Sequence, residues 1–366
     1  MTTTPSLSAT AGERLIALSD ELAELATARQ YKLQPDLMER FGERGRRKTL
    51  QDTLYNIRYL GQSLQIHSPL LFSSYIHWLK VLLDGYQVTT DDLKINIDCI
   101  RAVIAERVEE ELHAVVDSYI EHAYVQISTP LAPQKSHLEE SELQAEANQY
   151  TELLLSGDRS GASRLIMDLV QRQISVEQIY THIFQQSQYE IGRLWQTNQI
   201  SVAQEHYFTA ATQTIMSQLY PYIFSAEGGG PRLVAACIGQ ELHEIGLRMI
   251  SDIFELHGWD TYYIGANVPT RAIIDTVIKR KADVLAVSAT MTYHVTLVKN
   301  LIADIRADER CADVKVLVGG LPFNIDKDLW KQVGADGYAV SAREAIQMAT
   351  HLLNPLVSSD EAGRTT

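Results

Sequence analysis

One change of pattern constrains this chain more than any other. Up to about residue 225 its apolar residues recur three and four apart, the spacing of helix faces. At Gly228-Gly229-Gly230-Pro231 that spacing stops. Short continuous apolar runs follow: Leu233–Ile238, Thr261–Ile264, Val284–Val287, Val314–Val318 and Gly337–Val340. Between them lie amphipathic stretches, near 244–257, after Pro269, 293–309, 327–333 and 342–353. Strand and helix in strict alternation predict a doubly wound, flavodoxin-like parallel sheet of five strands over 231–353. Continuous apolar runs suit strands covered on both faces. Ligands of such sheets sit outside the carboxyl ends of the strands.

Upstream the chain is too long for one helical domain. Thr49 to Leu64 carries Leu50, Leu54, Ile57, Leu60 and Leu64 on one face. Ser68-Pro69 starts a second helix that Gly85 stops, and Thr90 is expected to cap a third. A further amphipathic stretch runs from Glu109 to Ile127. Residues 13–127 are thus predicted as an all-α domain, globin-like in size. The segment Ser128-Thr129-Pro130-Leu131-Ala132-Pro133 reads as a linker. Residues 140–225 read as a four-helix bundle. Ser175 with Gln178, and Ser201 with Gln204, have capping-box spacing and start two of its helices. Residues 1–12 and 354–366 read as tails.

Charge and cysteine narrow the function. With 46 acidic against 32 basic residues, the net charge of −14 disfavours nucleic acid. Three scattered cysteines, Cys99, Cys237 and Cys311, make no zinc or disulfide framework. No long apolar run suggests a membrane span, so a cytoplasmic protein is expected. Tyrosine outnumbers phenylalanine 17 to 7, and a buried tyrosine needs a partner for its hydroxyl.

The loop after the first strand reads Gly239-Gln240-Glu241-Leu242-His243-Glu244-Ile245-Gly246. An imidazole beside a carboxylate suits metal ligation, because the carboxylate fixes tautomer and basicity. Ser288-Ala289-Thr290 ends the third strand and Gly319-Gly320 the fourth, on the same predicted edge. Together they resemble the DxHxxG…SxL…GG pattern of cobalamin-binding domains, with Glu241 at the Asp position and Thr290 at the Leu position. The resemblance implies cobalamin bound with its own lower base displaced and His243 on cobalt. Glu241 would hold the other nitrogen of that ring. Gly246, Ser288, Thr290, Gly319 and Gly320 would line the slot for the nucleotide tail.

The helical bundle in front resembles the cap of methionine-synthase-type cobalamin domains. Trp195, nine residues, then Glu205-His206 is similar to the cap of adenosylcobalamin light sensors. There the Trp packs on the adenosyl group, and Glu and His flank the upper face. Gln196 stands where some of those sensors carry a second cobalt-binding His. Arg40 to Leu83 is similar to the bilin-binding photocobilins. That likeness implies biliverdin among Tyr55, Arg58, Tyr59, Tyr75, His77 and Trp78, with the basic run Arg44, Arg46, Arg47 and Lys48 available for propionates. The expectation is a non-enzymatic photoreceptor, in which light cleaves the cobalt–carbon bond of adenosylcobalamin and changes quaternary structure. A homo-oligomer and a separate output protein are expected with it. The alternative is a corrinoid methyl carrier serving a methyltransferase system.

Overall fold

The computed structural model describes residues 6–224 and 229–354. Residues 225–228 lie outside them, as do 1–5 of the first expected tail and 355–366 of the second. The chain divides into two compact units, Met1–Ala132 and Pro133–Thr366.

The first unit is all-helical: α1 (Leu7–Ala17), α2 (Ser19–Leu33), α3 (Asp36–Gln65), α4 (Pro69–Asp84), α5 (Thr90–Arg107) and α6 (His113–Ser128). Residues 7–12, expected in a tail, are helix. The Ser6 hydroxyl accepts from Ala9 N and starts α1, which buries Ala11, Gly12 and Leu15. Its weak apolar signal hid it, because Gly12 and Gly61 let α1 and α3 meet backbone to backbone. A Cβ on Gly12 would stand 2.4 Å from the Gly61 carbonyl. Thr89, rather than Thr90, caps α5, in a reciprocal box with Asp92. Gly42, at φ 60°, interrupts the long α3. The core is mostly aliphatic, around Ile57, Leu60, Leu64, Ile76, Ile97, Ile100 and Ile120, with Phe72 among them. One polar network crosses it. Tyr75 donates to Asn56, Asn56 to Asn96, and Asn96 to Gln30 and Thr53.

The second unit begins with helices α7 (Gln144–Leu155), α8 (Arg159–Gln171), α9 (Val176–Ile179), a π-helical turn (Tyr180–Gln185), α10 (Gln186–Gln196), α11 (Val202–Met216) and α12 (Tyr220–Ile223). Both capping boxes form, Ser175 with Gln178 and Ser201 with Gln204. The hairpin from α10 to α11 turns through Asn198 at φ 57°.

There follow β1 (Arg232–Ile238), α13 (Ile245–Leu256), β2 (Asp260–Val268), α14 (Thr270–Arg280), β3 (Val284–Ser288), α15 (Thr292–Ala307), β4 (Lys315–Gly319), α16 (Leu321–Ile325), α17 (Leu329–Val333), β5 (Gly337–Tyr338) and α18 (Ala342–Leu353). The strands form one parallel sheet in the order β2-β1-β3-β4-β5, the doubly wound arrangement expected. The last strand is shorter than expected, because the chain leaves the ladder after Tyr338.

Two features position the site. Cys237 pairs with Ser288 and Ser288 with Gly319, so β1, β3 and β4 end level. The cap also shares its core with the sheet layer, since Met249 and Ile253 of α13 join the cluster of Tyr150, Ile166, Phe184, Phe208 and Ile215.

Candidate functional site

β1 ends in a loop whose first residue, Gly239, has φ 52°. That turn carries the chain back over the strand ends, and Glu241 N donates to Ile238 O. Glu241 is fully buried. A buried carboxylate must be matched by donors, and four are present. Its Oε1 accepts from His243 N at 2.9 Å and His243 Nδ1 at 2.6 Å. Its Oε2 accepts from Thr290 N at 2.5 Å and His294 Nδ1 at 2.8 Å. Burial alone would raise the Glu241 carboxyl. The bonds from His243, His294 and Thr290 outweigh it and hold the group far below the usual carboxylate range.

The His243 ring is 62% exposed. Its Nδ1–H bond to Glu241 raises its pKa, against the opposing effect of burial, and the Glu205 carboxylate of the cap adds to the rise. Glu205, in the first turn of α11, is therefore near His243. With Nδ1 engaged, His243 offers Nε2 outward. Among the described residues no cluster of three or more His, Cys, Asp or Glu is placed to hold a metal ion. A lone imidazole suits a metal that arrives already held by a macrocycle.

The small residues of the three loops differ in their reasons for being small. A Cβ at Gly246 would meet nothing within 4 Å, which leaves open space at the start of α13. Gly319 is similarly roomy, with the Ala339 carbonyl 3.6 Å from such a Cβ. Gly320 has φ 100°, and a Cβ there would lie 2.0 Å from the Ala289 carbonyl, so the fold itself demands glycine. Ser288 ends β3, and Thr290 reaches the site through its backbone N–H.

In the cap, Trp195 is in the last turn of α10, and Glu205 and His206 in the first turn of α11. His206 Nδ1 meets Glu205 Oε2. Thr209 donates to Gln188 of α10 and lies 3.3 Å from Glu205. Pairing 188 with 209 across an antiparallel hairpin sets Glu205 opposite Gly192, one turn before Trp195. The cap is fastened to α13 by Gln213 to Glu244, by Arg248 to Ser217 and Tyr220, and by Tyr180 to Asp252 at 2.8 Å. Sequence reasoning missed these residues, and it missed His294, whose role depends on how α15 enters.

In the first unit, Tyr59 and Tyr75 stack at 3.8 Å and Tyr75 meets Trp78 at 6.3 Å. The first two rings cover each other's faces. Tyr55 is exposed and its hydroxyl accepts from Gln51. His77 is half-buried. Arg58 is turned to Ser19 and Asp20 of α2. Arg44, Arg46, Arg47 and Lys48 are exposed on α3. Tyr59, Tyr75 and Trp78 are brought together, Tyr55 is exposed, and Arg58 is engaged elsewhere.

Comparison with known proteins bears on the second unit. Residues 231–347 match a family model described as a B12 binding domain, and residues 146–220 match a second, also a B12 binding domain. Over 122 residues the chain is 30% identical to dimethylamine corrinoid protein 3 of Methanosarcina mazei, covering 33% of this chain and 71% of that one. This chain belongs to the cobalamin-binding corrinoid proteins. Monomethylamine corrinoid protein 2 of the same organism is 26% identical over 214 residues, 56% of this chain and 96% of that relative. The chain spans 56% of the length of the dimethylamine corrinoid protein of Methanosarcina barkeri, at 32% identity. The solved monomethylamine corrinoid protein of Methanosarcina barkeri has the same fold, with a TM-score of 0.51 at 20% identity. It covers 57% of this chain and 99% of that one. No helix among the described residues is long and apolar enough to cross a membrane.

The residues of this corrinoid protein fit its cofactor. An imidazole with its Nδ1–H fixed on a buried carboxylate, beside open space at Gly246, suits a metal already held in a macrocycle.

Proposed function

We propose that this protein holds cobalamin between cap and sheet with His243 on cobalt, and that the substituent on the opposite face of cobalt is its working group. The observation that carries this is the His243 ring, 62% exposed and pinned at Nδ1 by a buried carboxylate. Gly246, Gly319, Ser288 and Thr290 line the tail slot. Trp195, Glu205 and His206 cover the other face, and Glu205 near His243 supports that placement. When bound, cobalamin supplies a cobalt–carbon bond that can be made and broken. The chain would supply the imidazole that holds cobalt, with the Nδ1 proton kept on His243 and directed at Glu241, and the cap would exclude water.

The group carried is a methyl, exchanged with a separate methyltransferase. Relatives named as dimethylamine and monomethylamine corrinoid proteins support this reading more than light sensing. On it the chain is a component of an enzyme system.

A second reading, an adenosylcobalamin light sensor with biliverdin, has one observation in its favour. The monomethylamine relative is spanned almost whole by 56% of this chain, so the helical first unit is extra to it.

Purified protein loaded in the dark with methylcobalamin or adenosylcobalamin separates the two. The carrier reading expects methylcobalamin to bind at least as tightly and to pass its methyl to an acceptor through a partner enzyme. Preference for adenosylcobalamin, with a change of oligomeric mass after green light, overturns it. Red-absorbing bands after addition of biliverdin test the first unit.

A further inference from the structure

We infer that residues 136–143 form a splint on the cap, which bridges its π-helical turn and α10 and so holds Trp195 in place. Glu190 is the positioning residue to which the splint is tied.

The π-helical turn, Tyr180–Gln185, runs straight into α10. Such a turn interrupts the α ladder, and helices bend at such interruptions. α10 therefore hangs from a joint, with Trp195 in its last turn, at the end far from that joint. Two side-chain bonds steady it from within the bundle, Thr151 of α7 to Ser187 and Thr209 of α11 to Gln188. Both fall in the first turn of α10, and neither reaches the half that bears Trp195.

The splint supplies the missing hold. Its centre is a 3-10 turn, His137–Glu140. At one end the Ser141 hydroxyl donates to the His182 carbonyl, inside the π-helical turn, at 2.6 Å. At the other end His137 N donates to Glu190 Oε2 at 3.0 Å. The splint thus runs antiparallel to the joint it spans. Leu138 and Ser141 are buried, so it is packed down along its length. Glu190 is buried too, and Arg193 meets both its oxygens, Nε at 3.0 Å and Nη2 at 2.6 Å. Burial would raise the Glu190 carboxyl, and the bonds from Arg193 and His137 N outweigh it and hold the group below its ordinary value. A buried ion pair adds little stability over an apolar pair, because desolvation offsets its attraction. A charged tie for a segment that comes from outside the bundle accounts for one here. Glu190 and Trp195, five residues apart in sequence, are about 140° apart around the helix. The splint therefore grips α10 without covering the face that carries Trp195.

The splint lies ahead of the matched cobalamin-binding segment that starts at residue 146, and directly after the proline-punctuated segment 128–133. Tension on that segment is delivered to the helix that bears Trp195.

The inference rests on Trp195 covering the cofactor, as proposed above, and its first test needs no cobalamin, so the two can fail separately. Full-length protein labelled with 5-fluorotryptophan gives four 19F lines, one for each Trp, and Trp195→Phe assigns the one that matters. His137→Pro is the probing variant. Ser136 has the extended ψ of 134° that a following proline needs, and His137 opens the 3-10 turn, so the backbone loses only its N–H to Glu190. His137→Ala keeps that N–H, loses the ring and serves as control. In His137→Pro the Trp195 line should shift or broaden while the other three hold, and hydrogen exchange over 138–143 should quicken. His137→Ala should match the wild type. Ser141→Ala should disturb the Trp195 line from the other anchor, and Ser141→Thr, which keeps the hydroxyl, should restore it. Thermal melts run alongside, and the Ser141 pair decides if His137→Pro does not fold. With hydroxocobalamin as probe, His137→Pro and Ser141→Ala should bind about threefold to tenfold more weakly. By reciprocity, hydroxocobalamin should slow exchange over 138–143 in the wild type. A wild type that does not bind hydroxocobalamin defeats the proposed function, and the 19F lines still decide the splint. Folded His137→Pro and Ser141→Ala variants that keep the wild-type Trp195 line overturn the inference. So does an equal disturbance of all four lines, or a His137→Ala variant that moves the line as far as the proline does.

Discussion

Glu241 is a charge removed from water and held by four donors, and that makes it the residue with the most to lose. Replacing it by leucine strips partners from His294 Nδ1, Thr290 N and His243 N together. The expected loss is about 3 kcal/mol or more, read as a lower urea midpoint. The glycines around it separate by purpose. Gly320→Ala forces a Cβ into the Ala289 carbonyl at a left-handed φ and should lower stability by about 2 kcal/mol or more. Gly246→Ala enters open space, should leave the melting curve within about 1 kcal/mol of wild type, and should weaken cobalamin binding. A Gly246 variant that melts early but binds normally would reverse that assignment. Much of this was legible in the sequence, since Glu241, His243 and the glycines stand in one short spacing. His294 was not. It lies 53 residues beyond Glu241, and no spacing announces it. The sequence likewise does not tell Gly320, fixed by backbone approach, from Gly246, which leaves room.

At the scale of elements, α13 does two jobs. One face packs on the sheet, with Leu247 and Phe254. The other gives Met249 and Ile253 to the cap. Asp252 on that helix is buried, and burial pushes its carboxyl up to about 6, against the hydrogen bond from Tyr180. A folded-state value above the ordinary 3.8 means that ionisation works against the fold. The penalty is absent below pH 4, grows as pH rises to about 6, and is constant above. Asp252→Asn keeps an acceptor for the Tyr180 hydroxyl and removes the charge. It should raise stability at pH 7 by at most about 3 kcal/mol, with the gain vanishing near pH 4. Melts across that range check the sign. Strands and capping boxes were readable because each is a local pattern. Helix α1 was not, because small residues, Gly12 and Ala11, make its contact. Neither was the π-helical turn at Tyr180–Gln185, which brings Tyr180 to Asp252 and depends on the helix it faces.

For the whole molecule, two units with separate cores predict two unfolding transitions in calorimetry. Cobalamin at a hundredfold excess over its dissociation constant should add about 2.7 kcal/mol to the transition of residues 133–366. The transition of residues 1–132 should stay in place, and a bilin, if bound there, should move that one instead. A single transition that shifts as one with cobalamin would mean the units fold as one body.

The sharing of α13 between cap and sheet also bears on how the cobalt face can be approached. A lid with its own closed core could swing aside and lose little. This one cannot, because lifting it uncovers Met249 and Ile253 and parts Gln213 from Glu244, Arg248 from Tyr220, and Tyr180 from Asp252. The bared helix would be a wet apolar stripe flanked by an arginine and two carboxylates. On the proposed function, a partner protein that reaches cobalt from the cap side is expected to bring a surface that replaces the cap it displaces. Access is then decided by who can cover α13, and an empty encounter with water closes again.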